Sequence, residues 1–349
     1  MNLKGAESDH ERAVRNGLVL DRRRFLGVGA SMFPAAMPRV TGIVARWLRM
    51  PEHQVDVVHT RVFAAGPGGG NPCPVIPEAD LLTDAEMQTL ARQFGLDTAF
   101  ILRPEKADAD MRIRYFVPDH EMGVSGHATI AAVTVALSRT IPPSDHLKVQ
   151  TLNGVFDVAW TRHGNGYSVT LEQNEPLFGS IIATDLVARV LRIRSDQIVL
   201  AKSPIQVVSV SRPKLMVPLH DWQLLDRMKP DFEGLWNLCD AEGVTGLYPF
   251  TRHTNKKNVW AEARQFPLRA GFEEDAATGV AAAALGAYLT RYDLAYQTGH
   301  HAFRIAQGYA MGAPSVIEAI ADCAAGKITR TAIQGAAQIV TRDRVYIRN

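Results

Sequence analysis

Two long stretches, each ending in a nearly uncharged helical segment, constrain most strongly what this chain can fold into. The first runs from Arg114 to Leu137 and the second from Arg264 to Leu289. Each begins like a strand, passes through a loop that leads to Ala-Thr, and continues as an Ala-rich helix. A helix that is apolar on nearly every side must be surrounded by other elements. Each stretch therefore predicts a helix at the centre of a domain.

The order of elements around these two stretches indicates a duplicated chain. Strand-like segments precede and follow each predicted helix, and the two halves present them in a similar order. We predict an α+β fold of two pseudo-symmetric domains, each a curved β-sheet or barrel wrapped around a central α-helix. The predicted domains span residues 55–174 and 175–349, because the pattern breaks into polar residues and proline near 173–179.

The first part of the chain, residues 1–54, is predicted to be an N-terminal extension outside the two domains. Arg22-Arg23 is followed by Phe25, Leu26 and a short, weakly apolar segment, which fits a twin-arginine export signal. We expect a cytoplasmic protein, for which these residues would be a disordered extension, and export through the twin-arginine signal is the alternative. No apolar run is long enough to span a membrane, so we expect no membrane partner.

Several predicted elements have readable ends. Residues 81–95 predict a helix that begins with a capping box of Thr83 and Glu86 and ends at Gly95. In the second half, the apolar pattern predicts strands over 205–217, 245–250 and 259–266, and helices over 232–242 and 278–291.

The start of each central helix is a candidate anion site. A helix start carries unpaired N–H groups and a partial positive charge, which attract a group such as a carboxylate. Gly126 and Gly279 would let a ligand approach the backbone closely, and Ser125 and Thr278 lie beside them. If both helices point at a shared cleft, we expect the cleft to bind a small carboxylated molecule. The alternative is that both are capped core helices without a ligand.

Four polar residues are candidates for chemistry or substrate contact. Asp97 lies between a predicted helix end and an apolar strand, where burial would raise the pKa of its carboxyl toward the range useful for proton transfer. His127 lies in the first turn of the first central helix, and Asp275 lies at the start of the second. Asn71 follows a Gly-rich loop and is a candidate for an amide contact to substrate. The alternative for each is a turn, capping or packing role.

Composition and motifs disfavour several other classes of protein. A net charge of +2 with scattered Lys and Arg gives no reason to expect a nucleic-acid partner. The three cysteines form no CxxC pair and the eleven histidines form no HExxH motif, so we expect no metal. No GxSxG elbow is present, and no GxGxxG turn leads from a strand into a helix. Hydrolase and dinucleotide-binding functions therefore lack their markers.

Five segments stand in an order and spacing that resemble one known family. They are GGGNPCPV, LARQFGLDTAFIL, RYFVPDHEMGVSGHAT, EDAATGVAAAALGAYL and IAQGYAMGAPSVIEA. Together, over about residues 55–340, they resemble the PhzF family of phenazine-biosynthesis isomerase-like proteins, which have the diaminopimelate epimerase-like fold. The resemblance implies a cofactor-free enzyme that transfers a proton within a small cyclic amino or hydroxy acid. Homodimers are common in the family, which suggests a homodimer here.

The resemblance also implies roles for individual residues. Asp97 matches the family's general acid/base, which is typically glutamate, and His127 matches the histidine of the GHPT motif. Asp275 matches the aspartate of DPATGSA, and Asn71 matches the asparagine of GNP. Aspartate is one methylene shorter than glutamate, and proton transfer is sensitive to such a displacement. Either the substrate differs from that of the family's phenazine enzyme or the backbone compensates.

A related group of enzymes on this fold uses a different constellation. Epimerases with the diaminopimelate epimerase fold have one cysteine at each of the two helix starts. Gly126 and Asp275 occupy the corresponding positions here, and the three cysteines lie elsewhere in the chain. The sequence therefore disfavours a two-thiol racemase.

The main functional hypothesis is a cofactor-independent isomerase that shifts a double bond or a stereocentre proton in a small carboxylated substrate. Asp97 would remove and return the proton, while His127 and Asp275 would orient the substrate or deliver a second proton. The alternative is a non-catalytic protein that binds a small carboxylate on the same scaffold.

Overall fold

The computed structural model describes residues 54–199 and 202–348. The predicted N-terminal extension, with the motif at Arg22-Arg23, lies outside these residues except for its last position. Within the described ranges, no helix is both long enough and apolar enough to cross a bilayer.

The first half of the protein alternates strands with two helices. Its elements are β1 (Gln54–Val62), β2 (Asn71–Ile76), α1 (Asp84–Phe94), β3 (Thr98–Leu102), β4 (Met111–Phe116), β5 (Glu121–Met122), α2 (Gly126–Arg139), β6 (His146–Thr151), β7 (Gly154–His163) and β8 (Gly166–Gln173). The ends of α1 are confirmed. Thr83 and Glu86 form the capping box, and Gly95 ends the helix with a left-handed φ of 65°.

The second half has more elements than the sequence predicted. They are β9 (Leu177–Ile181), α3 (Thr184–Leu191), β10 (Gln206–Ser209), β11 (Pro213–Pro218), α4 (Trp222–Arg227), α5 (Phe232–Glu242), β12 (Gly246–Thr251), β13 (Ala261–Ala263), β14 (Phe266–Pro267), α6 (Gly279–Tyr292), β15 (Gly299–Gln307), β16 (Ser315–Ala324) and β17 (Lys327–Tyr346).

The strands predicted over 205–217 are observed as β10 and β11, which pair as an antiparallel hairpin. The strand predicted over 259–266 is observed as two short strands, β13 and β14. Both pair antiparallel with β12, and the two pairings have the same register. The interruption lies opposite Pro249, which has no N–H group to donate to the ladder.

The two halves repeat the same pairing pattern, which confirms the predicted duplication. In the first half, β2 is parallel to β3, β3 antiparallel to β4, β4 parallel to β6, and β6 antiparallel to β7. In the second half, β11, β12, β13, β15 and β16 pair in the same order and in the same senses. The helices α2 and α6 stand at equivalent places in the two series.

The last strand connects the two halves. The beginning of β17 pairs with β16, its middle pairs with β8, and its end pairs with β1. These pairings close a barrel of eight strands, β1, β2, β3, β4, β6, β7, β8 and β17. Because β17 contributes to both halves, the boundary between residues 174 and 175 stays a prediction.

The helices α2 and α6 lie at the centres of the two halves, as predicted. Eleven of the fourteen residues of α2 are buried, and so are twelve of the fourteen of α6. The helix α2 contacts strands of the barrel, and α6 contacts β10, β11, β15, β16 and β17. With hardly any exposed residue, each helix needs apolar side chains on all of its faces, which explains the scarcity of charge in the two segments.

Candidate active site

Asp97 lies one residue before β3, and its carboxylate is buried. Ser125, the residue before α2, donates its hydroxyl to Asp97 Oδ2 at 2.6 Å. Asp97 Oδ1 has no hydrogen-bond partner among the described residues. Burial raises the pKa of Asp97, against the opposing effects of His127 and the Ser125 hydroxyl. In the described residues, one oxygen of the Asp97 carboxyl group is therefore hydrogen-bonded and the other has no partner, and the group binds a proton more tightly than an exposed aspartate does.

His127 is buried beside this carboxylate in the first turn of α2. Its Nε2 atom lies 3.4 Å from Asp97 Oδ2. The same atom makes no hydrogen bond within the described part of the chain. Its Nδ1 atom lies 3.5 Å from Ser125 Oγ. Two side chains that can carry protons thus lie side by side, and each has an atom available to a ligand.

Asp275 lies at the approach to α6, and both of its carboxylate oxygens accept hydrogen bonds. Asn71, the first residue of β2, donates Nδ2 to Asp275 Oδ1 at 2.6 Å and to the Ala277 carbonyl at 2.9 Å. The hydroxyl of Thr278 donates to Asp275 Oδ2. These bonds fix the orientation of Asp275. They also tie a carboxylate of the second half to a strand of the first.

Gln307, the last residue of β15, makes hydrogen bonds to the same two residues, Asp275 and Thr278. Its Nε2 atom donates to the Asp275 carbonyl at 2.7 Å and to the Thr278 hydroxyl at 3.1 Å. Its Oε1 atom accepts from the Thr278 N–H at 3.2 Å and from the Tyr248 hydroxyl at 2.9 Å. No role was predicted for Gln307 from the sequence. Its signal is a polar residue at the end of the otherwise apolar run that closes β15.

The starts of α2 and α6 are in van der Waals contact with each other. A Cβ atom placed on Gly126 would lie 3.3 Å from Gly279 Cα, and one placed on Gly279 would lie 3.4 Å from Gly126 Cα. Both would also collide with Ile333 Cδ1, at 2.7 and 2.4 Å. Glycine is thus needed for the close approach of the two helices. From the sequence, the close approach of a ligand was the only predicted reason for these two glycines.

Neither of these helix starts has a side-chain cap, in contrast to α1. A buried helix start leaves backbone N–H groups without partners and carries a partial positive charge. The two adjacent starts therefore offer N–H donors to an anionic ligand.

These groups line one narrow cavity. Seven of the eight predicted site residues are on its wall: Asp97, Ser125, Gly126, His127, Asp275, Thr278 and Gly279. Asn71 acts on the cavity only through its hydrogen bond to Asp275.

Three further polar residues line the cavity and were missed by the sequence analysis: Arg212, Lys214 and Gln265. Lys214 donates Nζ to the Thr245 carbonyl at 3.1 Å, and burial, followed by repulsion from Arg212, lowers the pKa of Lys214 to about 7. Gln265 is completely buried, and neither atom of its amide has a partner in the described part of the chain. The signal for Lys214 was a lone charge in the apolar run KLMVPL.

Metal-ligating side chains are not clustered in the described residues. No group of three or more His, Cys, Asp or Glu side chains there is arranged to hold a metal ion. The buried cysteines Cys73, Cys239 and Cys323 are free thiols and are not on the cavity wall.

Fold and site together define a class of protein. It is a diaminopimelate epimerase-like α+β protein in which two central helices begin side by side at a buried cavity. A carboxyl group and an imidazole with unpaired atoms line that cavity.

Comparison with known proteins places the chain within this class. The family profile described as "Phenazine biosynthesis-like protein" (PhzC-PhzF) matches residues 60–343, and the chain belongs to this family. A relative from Escherichia coli K12 named as the uncharacterized isomerase YddE is 31% identical over 82% of this chain and 96% of its own length. The trans-2,3-dihydro-3-hydroxyanthranilate isomerase of Pseudomonas aeruginosa is 28% identical over 82% of this chain and 97% of its own.

Solved structures agree with this placement. The Bacillus anthracis phenazine biosynthesis protein of the PhzF family superposes with a TM-score of 0.76 and 25% identity. The match covers 84% of this chain and all of that protein. The predicted fold and family are confirmed, and the predicted enzyme class, an isomerase, agrees with the names of the relatives.

Proposed function

We propose that the protein is a cofactor-independent isomerase that moves a proton within a small carboxylated substrate, with Asp97 as the general acid/base. The observation that carries this proposal is the buried Asp97 carboxyl group on the wall of the cavity. Its raised pKa and its free Oδ1 atom suit a group that takes a proton from carbon and returns it.

The two helix starts are proposed to hold the substrate carboxylate. Their uncapped N–H groups supply donors, and their partial positive charges favour an anion. A carboxylate bound there would lie near Asp97, because Gly126 and Ser125, at the start of α2, share the cavity wall with it. The substrate's own conjugation would stabilise the carbanion formed on proton removal.

His127 and Asp275 have different proposed roles because their surroundings differ. His127 Nε2 makes no hydrogen bond within the described residues and lies 3.4 Å from Asp97 Oδ2, so it can bond the substrate or deliver the second proton. Asp275 is already bonded on both oxygens, by Asn71 and Thr278, which suits a group that orients the substrate and the start of α6.

A small cyclic amino or hydroxy acid is the proposed substrate class. The name of the Pseudomonas aeruginosa relative supports it. Whether the proton movement shifts a double bond or inverts a stereocentre follows from where deuterium enters the product.

Asp97→Asn tests this function, because the amide keeps the shape of the side chain and removes the base. Trans-2,3-dihydro-3-hydroxyanthranilate and a panel of small carboxylic acids are incubated with the protein in D₂O and followed by NMR. We expect deuterium uptake at one carbon by the wild type, and a rate lower by roughly 10²–10⁴-fold in the variant.

The matched control is Asp157→Asn, at an exposed position on β7, which should exchange at the wild-type rate. Undiminished exchange by Asp97→Asn would refute the assignment of the base. Ligand binding without any exchange by the wild type would favour the alternative, a non-catalytic carboxylate-binding protein.

A further inference from the structure

Arg212 and Lys214 place two basic side chains on the wall of the cavity. Lys214 is the second residue of β11, and Arg212 lies immediately before that strand, in the turn of the β10–β11 hairpin. Only Pro213 separates them, so both side chains belong to one rigid segment of the second half.

Neither cation has a carboxylate partner. Within residues 54–199 and 202–348, no Asp or Glu oxygen lies within 4.0 Å of the nitrogen atoms of either side chain. The side chain of Lys214 is buried, and within the described ranges its one hydrogen bond is to the Thr245 carbonyl. The guanidinium of Arg212 contacts the Met122 sulfur at 3.0 Å. Buried charges in proteins are normally paired, so an unpaired buried cation on a cavity wall indicates an anionic ligand.

The two acidic residues of the cavity, Asp97 and Asp275, are bonded to other groups of the protein. Asp275 accepts hydrogen bonds from Asn71 and Thr278, so both of its carboxylate oxygens already have partners. Asp97 is bonded to Ser125 at the start of α2. Asp275 attracts both cations across the cavity and Asp97 attracts Arg212, but among the described residues neither carboxylate comes within ion-pair distance of Arg212 or Lys214.

We propose that Arg212 and Lys214 bind a second anionic group of the substrate, so that the natural substrate is a small dianion such as a dicarboxylate. This inference rests on the proposed function, in which the helix starts hold the first carboxylate. Gln265, whose unpaired amide lines the same cavity, is available for a neutral polar group of the substrate.

The test compares two probes that differ by one carboxylate, trans-cyclohexane-1,2-dicarboxylate and cyclohexanecarboxylate. Binding to the full-length chain is measured by isothermal titration calorimetry. We expect the dicarboxylate to bind at least about tenfold more tightly, since charge-assisted hydrogen bonds to a buried cation discriminate at that level. Lys214→Met and Arg212→Met should each reduce the preference for the dicarboxylate to less than about threefold.

Controls separate charge from packing and from folding. Lys214→Arg keeps the charge and should keep most of the preference, and Lys148→Met, at an exposed position on β6, should keep all of it. Circular dichroism checks that each variant is folded. Arg212 is partly exposed, so Arg212→Met provides a second readout if Lys214→Met does not fold.

Equal affinities of the wild type for the two probes would overturn the inference, as would no binding of the dicarboxylate at millimolar concentrations. An unchanged preference in both methionine variants would also overturn it. A failure of the proposed function can be distinguished from a failure of this inference. Asp97→Asn should lose proton exchange and keep the dicarboxylate preference, so normal exchange in that variant would refute the base and leave the dianion site standing.

Discussion

Replacing Lys214 with methionine should make the ligand-free protein more stable at neutral pH. Burial lowers the pKa of Lys214 from 10.5 to about 7, so the charged form is disfavoured in the folded state. At about 1.4 kcal/mol per pKa unit, this difference corresponds to a cost of about 5 kcal/mol when the side chain is charged. Methionine leaves the Thr245 carbonyl without its donor, which costs about 1–3 kcal/mol. The expected net gain below pH 7 is about 2–4 kcal/mol.

The sign of the pH dependence follows from the same two pKa values. Below pH 7 the folded and unfolded states are both protonated at Lys214, so the full cost is present and does not change with pH. Between pH 7 and 10.5 the unfolded chain keeps a proton that the folded protein has lost, so the stability of the wild type rises with pH. Above that range the cost is gone, and the methionine variant should be the less stable protein.

Urea unfolding of both proteins at pH 6, 8 and 10 checks this prediction. The difference between wild type and Lys214→Met isolates the lysine from other groups that titrate in the same range. Lys148→Met serves as the control, because Lys148 is exposed and ion-paired with Asp157, and its replacement should give no such crossover. A difference in free energy of unfolding that stays constant from pH 6 to 10 would refute the argument that Lys214 carries a buried, unpaired charge.

Three other outcomes are expected. Gly279→Ala should lower the free energy of unfolding by about 1–3 kcal/mol, because its Cβ would collide with Ile333 Cδ1, and adding Ile333→Val should restore part of the loss in urea unfolding. Thr83→Ala removes the capping box of α1 and should cost about 1 kcal/mol in thermal unfolding without affecting proton exchange. The rate of proton exchange should rise with pH through an acid limb that lies above pH 3.8, because the pKa of Asp97 is raised, and Asp97→Asn should abolish that limb in an NMR pH profile.

Features that depend on neighbours in the chain were predictable from the sequence. The capping box at Thr83 and Glu86 and the left-handed Gly95 involve residues within one turn of α1, so local spacing was enough to predict them. The two central helices were predictable because burial on all sides requires apolar residues at every position. Repetition of that pattern indicated the duplicated fold.

The meeting of Asp97, His127 and Asp275 was only partly predictable. Matched helix starts suggested a common cleft, and family motifs named the three residues. No local pattern could show that Asn71 reaches Asp275, because 204 positions separate them and the contact exists only after β2 and α6 are packed together.

Tertiary structure alone decided the charge balance of the cavity. By itself, the sequence established a duplicated scaffold with an almost uncharged helix in each half, because helix burial and helix capping depend on residues that are close together in the sequence. It could not show that Arg212 and Lys214 face the same cavity as Asp97, because a side chain's partners depend on how the β10–β11 hairpin folds against the two helix starts. A lone lysine in an apolar run is compatible with an exposed strand edge as well as with a buried site, and only the packed chain distinguishes the two.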